Sequence, residues 1–569
     1  MGALAKTAQW LGRVSAITLI YGVALQAQTA SFVYSTYLGG RGVDEGRAVA
    51  AAPGGGTCVT GITNSPDFPA FLAAQPDLQP EHYSGRQFPD AFVTCFGPTG
   101  ELVHSTYLGD SEIEFPHAIA VGPASTAYVT GYTDVFFEGF FPFLARVRPF
   151  EISFLSIPGG IRSKGWDVAV DSAGDVYVTG QSHYDHPIGF YVPQAYVAKL
   201  GSDGSFLYVT DLEGLSGDEQ GNAIAVDAAG NAYVAGYTTS SDFPATGVIG
   251  SLEGHTNAFV TKLDPSGAVV YSLVIGGSGS EEAEHLAADP AGNVFVAGWT
   301  SSADFPLLNP IQGAKGLFLA RFDPDGALVA STYLGGIGAQ EVTSLALDGL
   351  GRLYLAGTSS SGSPLSVPGC QGRFLAELDP ESFEVLQATC LPGADVRDMA
   401  ADAQGHLHLT GVTSGGLPTT VNAFQPVFGG GFNDAFVAKL AFNAPPGCAA
   451  AFASPSTIWP PNGKLVPITI SGVTDPDGDP ITLTVTGVRQ DEPLSQAGTP
   501  DATGIGTPSV SLRADRAGKG DGRVYHLSFE ARDPLGASCT GTVTVCVAHD
   551  RGRGRTCGDG GPLFNSSGG

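Results

Sequence analysis

Charged residues are scarce in this chain of 569 residues, and basic ones are scarcer than acidic ones. They make up 14% of the sequence, with 27 Lys and Arg against 55 Asp and Glu, so the formal net charge is −28. Such a field repels nucleic acid and anionic membranes, which excludes nucleic acid as a partner. The field could also attract cations, although a high net charge serves solubility alone as well.

Helical periodicity is missing too. No long stretch places apolar residues at i, i+3, i+4 and i+7. The chain instead carries 80 Gly and 39 Pro, a composition typical of many short strands joined by tight turns. The sequence therefore predicts an all-β fold.

Familiar catalytic and zinc-binding motifs are absent from the sequence. There is no G-x-S-x-G elbow, no P-loop, and no G-x-G-x-x-G between a strand and a helix. No CxxC or Cys/His spacing indicates zinc. These absences favour a binding or structural role, and we expect no required cofactor.

Long apolar runs are lacking as well, except for one near the N-terminus. The run Val14–Leu25 follows Lys6 and Arg13 and precedes small residues that end at Ala27. Its length of about 12 residues falls short of the roughly 20 that a membrane span requires. The pattern predicts a secretory signal peptide over residues 1–27. We expect a secreted or cell-surface protein with no transmembrane segment after the signal is removed.

Eight cysteines in an exported chain predict disulfides. They fall into groups that match structural units, so pairing within each group is expected, although the sequence alone fixes no pairing. The groups are Cys58 with Cys95, Cys370 with Cys390, and Cys448 with Cys539, Cys546 and Cys557.

One repeated tract, roughly apolar-x-V-x-G-x-T, dominates what the sequence does contain. It recurs seven times at intervals of roughly 50 to 70 residues, which indicates a repeat architecture. Turn residues around each copy delimit four short strands, the composition of a propeller blade. The glycines of the tract are Gly61, Gly131, Gly180, Gly236, Gly298, Gly357 and Gly411. In one unit the predicted strands are Asn222–Asp227, Ala232–Thr238, Asn257–Leu263 and Ala268–Ile275.

The order of the strands predicts how the repeats close into a ring. The chain opens with a strand of the fourth type, Phe32–Gly40, and the last unit stops after its third strand at Leu440. We therefore expect the N-terminal strand to complete the last blade and remove the exposed edges. The prediction is a seven-bladed β-propeller over residues 31–442.

These segments resemble the bacterial SBBP (seven-bladed β-propeller repeat) family. The resemblance is carried by Tyr34-Ser-Thr-Tyr-Leu-Gly-Gly40, Ala232-Tyr-Val-Ala-Gly-Tyr-Thr238, Asp242-Phe-Pro244 and Asn257-Ala-Phe-Val-Thr-Lys-Leu-Asp264. The second unit departs from it, because Phe141–Gly160 is shortened and lacks an Asp-Phe-Pro loop. The resemblance implies an exported or cell-surface location and a shape, and it implies no reaction.

Composition changes at residues 443–447, which predicts a linker. Beyond it, strand-like Thr/Val alternation over residues 448–550 predicts a small β-sandwich. The motifs Trp459-Pro-Pro-Asn-Gly-Lys464 and Asp475-Pro-Asp-Gly-Asp-Pro480 resemble Ig-like modules at the C-termini of bacterial surface proteins. Residues 551–569 read as a Gly-rich tail.

Acidic residues that recur just before the first strands are the best candidate site. In a propeller they could ring the mouth of the channel and bind a ligand or a hard cation such as Ca²⁺. The alternative is that they accept hydrogen bonds from turn amides or are simply solvated. The residues are Asp44, Glu45, Glu112, Asp218, Glu219, Glu281, Glu282 and Glu341.

A second candidate lies in the C-terminal module. Asp475, Asp477 and Asp479 alternate within a Pro/Gly turn, so three carboxylates could converge on Ca²⁺. An EF-hand is excluded because Thr486 stands at its twelfth position. An ordinary acidic turn is the alternative reading.

Together these features favour an exported, non-catalytic and monomeric protein that binds an extracellular glycan or protein. The alternative is a propeller enzyme, a lyase or hydrolase that uses acidic residues at the channel mouth. The fold by itself cannot decide between them.

Overall fold

A computed structural model describes residues 31–77, 89–109, 112–135, 139–158, 162–185, 191–214, 216–311, 314–336, 340–360, 363–443, 445–476, 479–494, 499–516, 522–534, 537–549 and 557–567. The predicted signal peptide, Asp477 and part of the predicted tail lie outside these residues. Within them the fold is all-β: the strands form nine sheets, and the one helical element is a short 3₁₀ turn, Pro123–Ser125. The prediction of an all-β fold is confirmed.

Seven of the sheets follow one another along residues 31–441. Each has four strands in antiparallel order, and the fourth sheet along the chain has a fifth, parallel strand. The strands are β1 Ser31–Leu38; β2 Asp44–Ala52, β3 Gly56–Thr63, β4 Asp90–Phe96 and β5 Leu102–Leu108; β6 Ile113–Gly122, β7 Thr126–Val135, β8 Gly139–Arg148 and β9 Glu151–Leu155; β10 Lys164–Val170, β11 Val176–Asp185, β12 Tyr191–Leu200 and β13 Phe206–Leu212; β14 Glu219–Val226, β15 Ala232–Thr238, β16 Gly247–Gly250, β17 Asn257–Leu263 and β18 Val269–Gly276; β19 Glu281–Ala288, β20 Val294–Thr300, β21 Ala314–Phe322 and β22 Leu328–Gly335; β23 Glu341–Leu347, β24 Leu353–Thr358, β25 Arg373–Leu378 and β26 Val385–Thr389; and β27 Ala394–Ala401, β28 His406–Thr413 and β29 Asp434–Ala441.

The strand-by-strand prediction for one unit agrees closely with the fourth sheet. The predicted strands Ala232–Thr238 and Asn257–Leu263 coincide with β15 and β17. The first and last predicted strands differ from β14 and β18 by one to three residues at their ends. Alternating side chains and Gly-containing turns were sufficient signals here, because each strand has one face toward a neighbouring sheet.

The N-terminal strand lies where the strand order predicted it. β1 pairs antiparallel with β29, in a sheet of the order β1-β29-β28-β27. The first strands of the seven sheets also contact one another in sequence, from β2 through β6, β10, β14, β19 and β23 to β27, and β27 contacts β2 again. We call these seven the inner strands.

The hydrophobic core lies between neighbouring sheets. One cluster joins Tyr233 and Val260 of the fourth sheet to Val294 and Phe318 of the fifth, and all four are at most 1% exposed. Aromatic and β-branched side chains suit such packing between pleated surfaces. Each sheet is therefore stabilised by the sheets beside it.

The two remaining sheets form the C-terminal module. Their strands are β30 Phe452–Ser454, β31 Thr457–Ile458, β32 Leu465–Ser471, β33 Thr482–Gln490, β34 Ala502–Thr503, β35 Ser509–Arg513, β36 Arg523–Arg532, β37 Ser538–Val547 and β38 Phe564–Asn565. The sheet orders are β30-β32-β35-β34 and β31-β37-β36-β33-β38, and both sheets contribute to one core. Part of the predicted Gly-rich tail is thus ordered, because β38 pairs with β33.

All eight cysteines pair within the predicted groups. The disulfides are Cys58–Cys95, Cys370–Cys390, Cys448–Cys539 and Cys546–Cys557. They agree with an exported protein, since such bonds persist in oxidising compartments. The described part of the chain contains no helix long and apolar enough to cross a membrane.

Candidate functional site

Each of the seven inner strands carries a β-bulge near its start. At this point one residue of the inner strand has no partner on the second strand of its sheet. Bulges re-aim side chains and are frequent next to active sites. The unpaired residues, which we call the bulge residues, are Arg47, His117, Trp166, Asn222, Glu284, Thr343 and Arg397.

The repeated glycine tract makes room for these bulges. A Cβ atom on Gly236 would lie 1.8 Å from the carbonyl oxygen of Gln220, two residues before the bulge residue Asn222. The tract glycines of the other six sheets face the equivalent backbone oxygen at 1.8 to 2.1 Å. Only glycine permits so close an approach of two backbones. The glycine of the tract is therefore required by the bulge that stands opposite it.

The bulge residues of all seven sheets line one central cavity. Its outer part, about 430 Å³, includes Pro116 and Glu341 near the starts of the inner strands. Its inner part, about 270 Å³, reaches Val49, Ile119 and Met399 farther along them. The outer volume is in the range of small-ligand sites and the inner volume is just below it; such sites combine a concave shape with a few polar groups.

One side of the cavity is lined by Arg47, His117 and Trp166, and these residues contact Lys164 and Phe115, which are outside the lining. The rings of His117 and Trp166 lie 4.2 Å apart between centroids. The Lys164 ammonium lies over Tyr132 at 4.6 Å and over Trp166 at 5.3 Å, and the Arg47 guanidinium lies 5.4 Å from the ring of Phe115. Such cation–π contacts hold the cations in place while leaving their hydrogen atoms available.

The imidazole in this cluster is neutral at physiological pH. Burial, together with the positive charges of Arg47 and Lys164, lowers the pKa of His117 to about 3. Burial also lowers the pKa of Lys164. His117 can therefore act as a neutral donor or acceptor toward a ligand.

The other side of the cavity is acidic. Burial raises the pKa of Glu284 to about 7, and the negative charges of Glu282 and Glu341 act in the same direction. A carboxyl group with such a pKa can gain or lose a proton near neutral pH, a property that is common at functional sites. Asn222 and Thr343 stand beside it in the ring of bulge residues.

Two further carboxyl groups join adjacent sheets below the bulges. Asp167 accepts a hydrogen bond from the backbone N of Ile224 on the next inner strand at 2.8 Å. Asp398 accepts one from the backbone N of Val49 at 2.8 Å and so ties β27 to β2. Burial raises the pKa of Asp167 to about 7 and that of Asp398 to about 6. They cross-link the inner strands at the floor of the site.

Three of the predicted acidic residues do not face the cavity, and Glu281 illustrates why. Its side chain is 0% exposed. It accepts hydrogen bonds from the backbone N of Gly277 at 3.0 Å, from Thr300 Oγ1 at 2.8 Å and from Ser302 Oγ. This carboxylate therefore ties the end of one sheet to the start of the next.

Asp44 and Glu219 occupy the equivalent position and are also 0% exposed. The donors to Asp44 are Gly40 N, Thr63 Oγ1 and Ser65 Oγ, and those to Glu219 include Gly214 N and Thr238 Oγ1. Burial raises the pKa of both carboxyl groups. The structure supports the reading of these three residues as acceptors for turn amides.

The other predicted acidic residues are scattered around the start of the inner strands. Asp218 and Glu341 are exposed, and Glu45, Glu112 and Glu282 are half-buried. Glu341 lines the outer part of the cavity. In the sixth sheet Gln340 takes the position of Glu281 in the buried network, accepting from Gly336 N at 2.8 Å.

The predicted calcium ligands of the C-terminal module are only partly described. The carboxylate of Asp475 accepts a hydrogen bond from the backbone N of Asp479 at 3.2 Å, as in an acidic turn. Asp477 lies outside the described residues. Within the described ranges, no group of three or more His, Cys, Asp and Glu side chains is placed to hold a metal ion.

Sequence reasoning missed the bulge residues because they do not resemble one another. A signal was nevertheless present: each lies three positions after the residue that takes the place of Asp44 or Glu281 in its unit, as Arg47 and Glu284 show. This position varies in chemistry between units, whereas the tract glycine that stands opposite the bulge is the same in all seven.

Comparisons with known proteins agree with a propeller-like architecture. Residues 207–244 and 270–306 match the family described as SBBP, beta-propeller repeat. No curated protein matches the chain significantly.

Similar solved structures are distant in sequence. The WD40 β-propeller domain of Doa1 is 10% identical, with a TM-score of 0.40, over 73% of this chain and 97% of that one. A protein of unknown function from Dyadobacter fermentans is 11% identical, with a TM-score of 0.38, over 73% and 99%. The polysaccharide lyase Uly1 is 10% identical, with a TM-score of 0.38, over 74% and 100%. The family match identifies β-propeller repeats in two segments of the chain.

Proposed function

We propose that this chain is an exported, non-catalytic binding protein whose ligand site is the central cavity. The seven sheets are the blades of one closed propeller, and the C-terminal module is an Ig-like sandwich. The partner is an extracellular glycan or protein. Calcium could still bind at the acidic turn that contains Asp475 and Asp479.

The proposed architecture is supported by the pairing of the first and last strands of the repeat region. β1 completes the sheet of β29 across almost the whole length of the repeat region, and the inner strands contact one another from β2 round to β27 and back. Closure of this kind removes unpaired edges, which an open array would have to cap. A rigid ring holds the side chains of a ligand site in fixed positions.

The observation that carries the proposed function is the contrast among the bulge residues. The glycines opposite them recur in all seven sheets, whereas the bulge residues are cationic, aromatic, acidic, amide and hydroxyl side chains. A purely structural position would be expected to repeat with the rest of the unit. A cavity with convergent and different polar groups is suited to one asymmetric ligand.

Binding at the cavity can be tested with a glycan array and a pull-down from a cell envelope. We expect Trp166→Ala to weaken binding of the retained ligand about tenfold, because an aromatic contact contributes roughly 0.5–1.5 kcal/mol beyond the area that it buries. Phe154→Ala is the matched control, since this ring is 56% exposed on β9, away from the cavity. Equal binding by wild type and Trp166→Ala would contradict the assignment.

The pKa and the position of Glu284 favour a second candidate function, that of a lyase or hydrolase. A carboxyl group with a pKa of about 7 that lines a cavity is suited to proton transfer at neutral pH. If it acts as a general base, kcat/KM rises with pH through about 7, as the carboxyl group ionises. Glu284→Gln should then lower kcat on the cleaved glycan at least about a hundredfold. Intact glycans after prolonged incubation with the wild-type protein would exclude this candidate.

A further inference from the structure

The aromatic side of the central cavity has hydrogen-bond donors without acceptors. Trp166 Nε1 is buried and has no partner among the described residues. No carboxylate in the described ranges lies within ion-pair distance of the Arg47 guanidinium or the Lys164 ammonium, both of which rest on aromatic rings. Arg397 meets one carboxylate oxygen, that of Asp395, at 3.8 Å. A buried donor such as Trp166 Nε1 is costly unless it has a hydrogen-bond acceptor.

The two arginines belong to adjacent inner strands. Arg47 lies on β2 and Arg397 on β27, these strands are in contact, and both side chains line the cavity. Arg397 is close enough for its charge to oppose that of Arg47. Two guanidinium groups on adjacent strands of one cavity suit a planar oxyanion, which each can bind through paired N–H groups.

The rest of the cavity suits a sugar more than a simple anion. The rings of His117 and Trp166, tilted by 48° to one another, form an aromatic wall, and Asn222, Glu284 and Thr343 supply amide, carboxyl and hydroxyl groups elsewhere in the ring. The acidic residues that line the cavity disfavour a polyanion, as does the net charge of −28. A sugar ring with one anionic group could contact the arginines through that group and the acidic side chains through its hydroxyl groups.

Building on the proposed binding function, we infer that the ligand is an anionic saccharide. Arg47 and Arg397 bind its carboxylate or sulfate group, and Trp166 stacks on the sugar ring that carries it. The acidic side binds hydroxyl groups of the same or the next sugar. The site therefore distinguishes an acidic sugar from its neutral counterpart.

Calorimetry on the full chain tests this inference with three probes of equal length. They are trigalacturonate, its fully methyl-esterified neutral form, and a trisaccharide of neutral sugars that carries a sulfate group. We expect one of the two anionic probes to bind at least about tenfold more tightly than the neutral form. Whichever anion binds identifies the group that the arginines recognise.

Charge-removing variants then assign the contact. Arg47→Gln and Arg397→Gln should each weaken binding of the anionic probe about tenfold and leave binding of the neutral form unchanged. Arg397 is the safer site for folding, because its side chain is 50% exposed. Arg532→Gln on the C-terminal module, where the side chain is 54% exposed, removes the same charge outside the cavity and should have no effect.

The outcomes separate this inference from the proposed function. Equal binding of neutral and anionic probes, lost in Trp166→Ala, would overturn the inference and keep the cavity as the binding site. No binding of any probe, or unchanged anion binding in both arginine variants with wild-type melting, would also overturn the inference. In that case the glycan array alone tests whether the cavity is a binding site.

Discussion

A chain lacking residues 31–38 is expected to lose the cooperative stability of all seven repeated sheets. β1 pairs with β29 from Ser31 to Leu38, and its side chains Tyr34, Tyr37 and Leu38 are 0–5% exposed. Burial of three such side chains contributes roughly 5–9 kcal/mol, comparable to the whole stability of a domain. The measurement is thermal unfolding followed by circular dichroism and gel filtration.

Restoring the strand separately provides the control. A synthetic peptide of residues 31–40, added to the truncated chain, should recover most of the melting temperature by pairing with the exposed edge of β29. A truncated chain that melts like the full one would show that the sheets do not depend on closure by β1.

Glu281→Ala should destabilise the protein by roughly 3–5 kcal/mol, whereas Glu282→Ala should change stability by about 0.5 kcal/mol or less. Removing the Glu281 carboxylate leaves the donors of Gly277, Thr300 and Ser302 buried without their acceptor. Glu282 is the adjacent residue on the same strand, is half-buried, and points to the opposite face. Urea unfolding of the two variants measures the difference.

The same pair tests the calcium ring considered from the sequence. If Glu281 served mainly as a cation ligand, calcium would raise the melting temperature of the wild type and chelator would lower it to that of Glu281→Ala. If Glu281 serves instead as a hydrogen-bond acceptor, Glu281→Ala melts far below the wild type both with calcium and with chelator. Similar melting of the two variants would contradict that account.

Much of the fold was predictable because its signals are local. Alternating side chains, Gly-containing turns and the displaced first strand predicted β15, β17 and the pairing of β1 without any long-range information. The grouping of cysteines was predictable for the same reason, since each pair lies within one unit.

The site was harder to predict because it depends on register. Glu281 and Glu282 are neighbours of identical chemistry, yet strand alternation buries one and leaves the other half-exposed. The bulge leaves Glu284 without a partner on the second strand, and Glu284 lines the cavity although it lies only three residues beyond Glu281. No composition or charge pattern reveals a bulge, and the repeated glycine that permits it is itself uninformative about the ligand.

Fluorescence of Trp166 tests most directly whether the bulge residues form the ligand site. The chain has four tryptophans, so Trp10→Phe, Trp299→Phe and Trp459→Phe together leave Trp166 as the sole reporter. Titration with the ligand that binds most tightly on the array should change the emission saturably, with the midpoint that calorimetry gives. Saturable heat of binding with no change in Trp166 emission would place the ligand elsewhere and contradict the account.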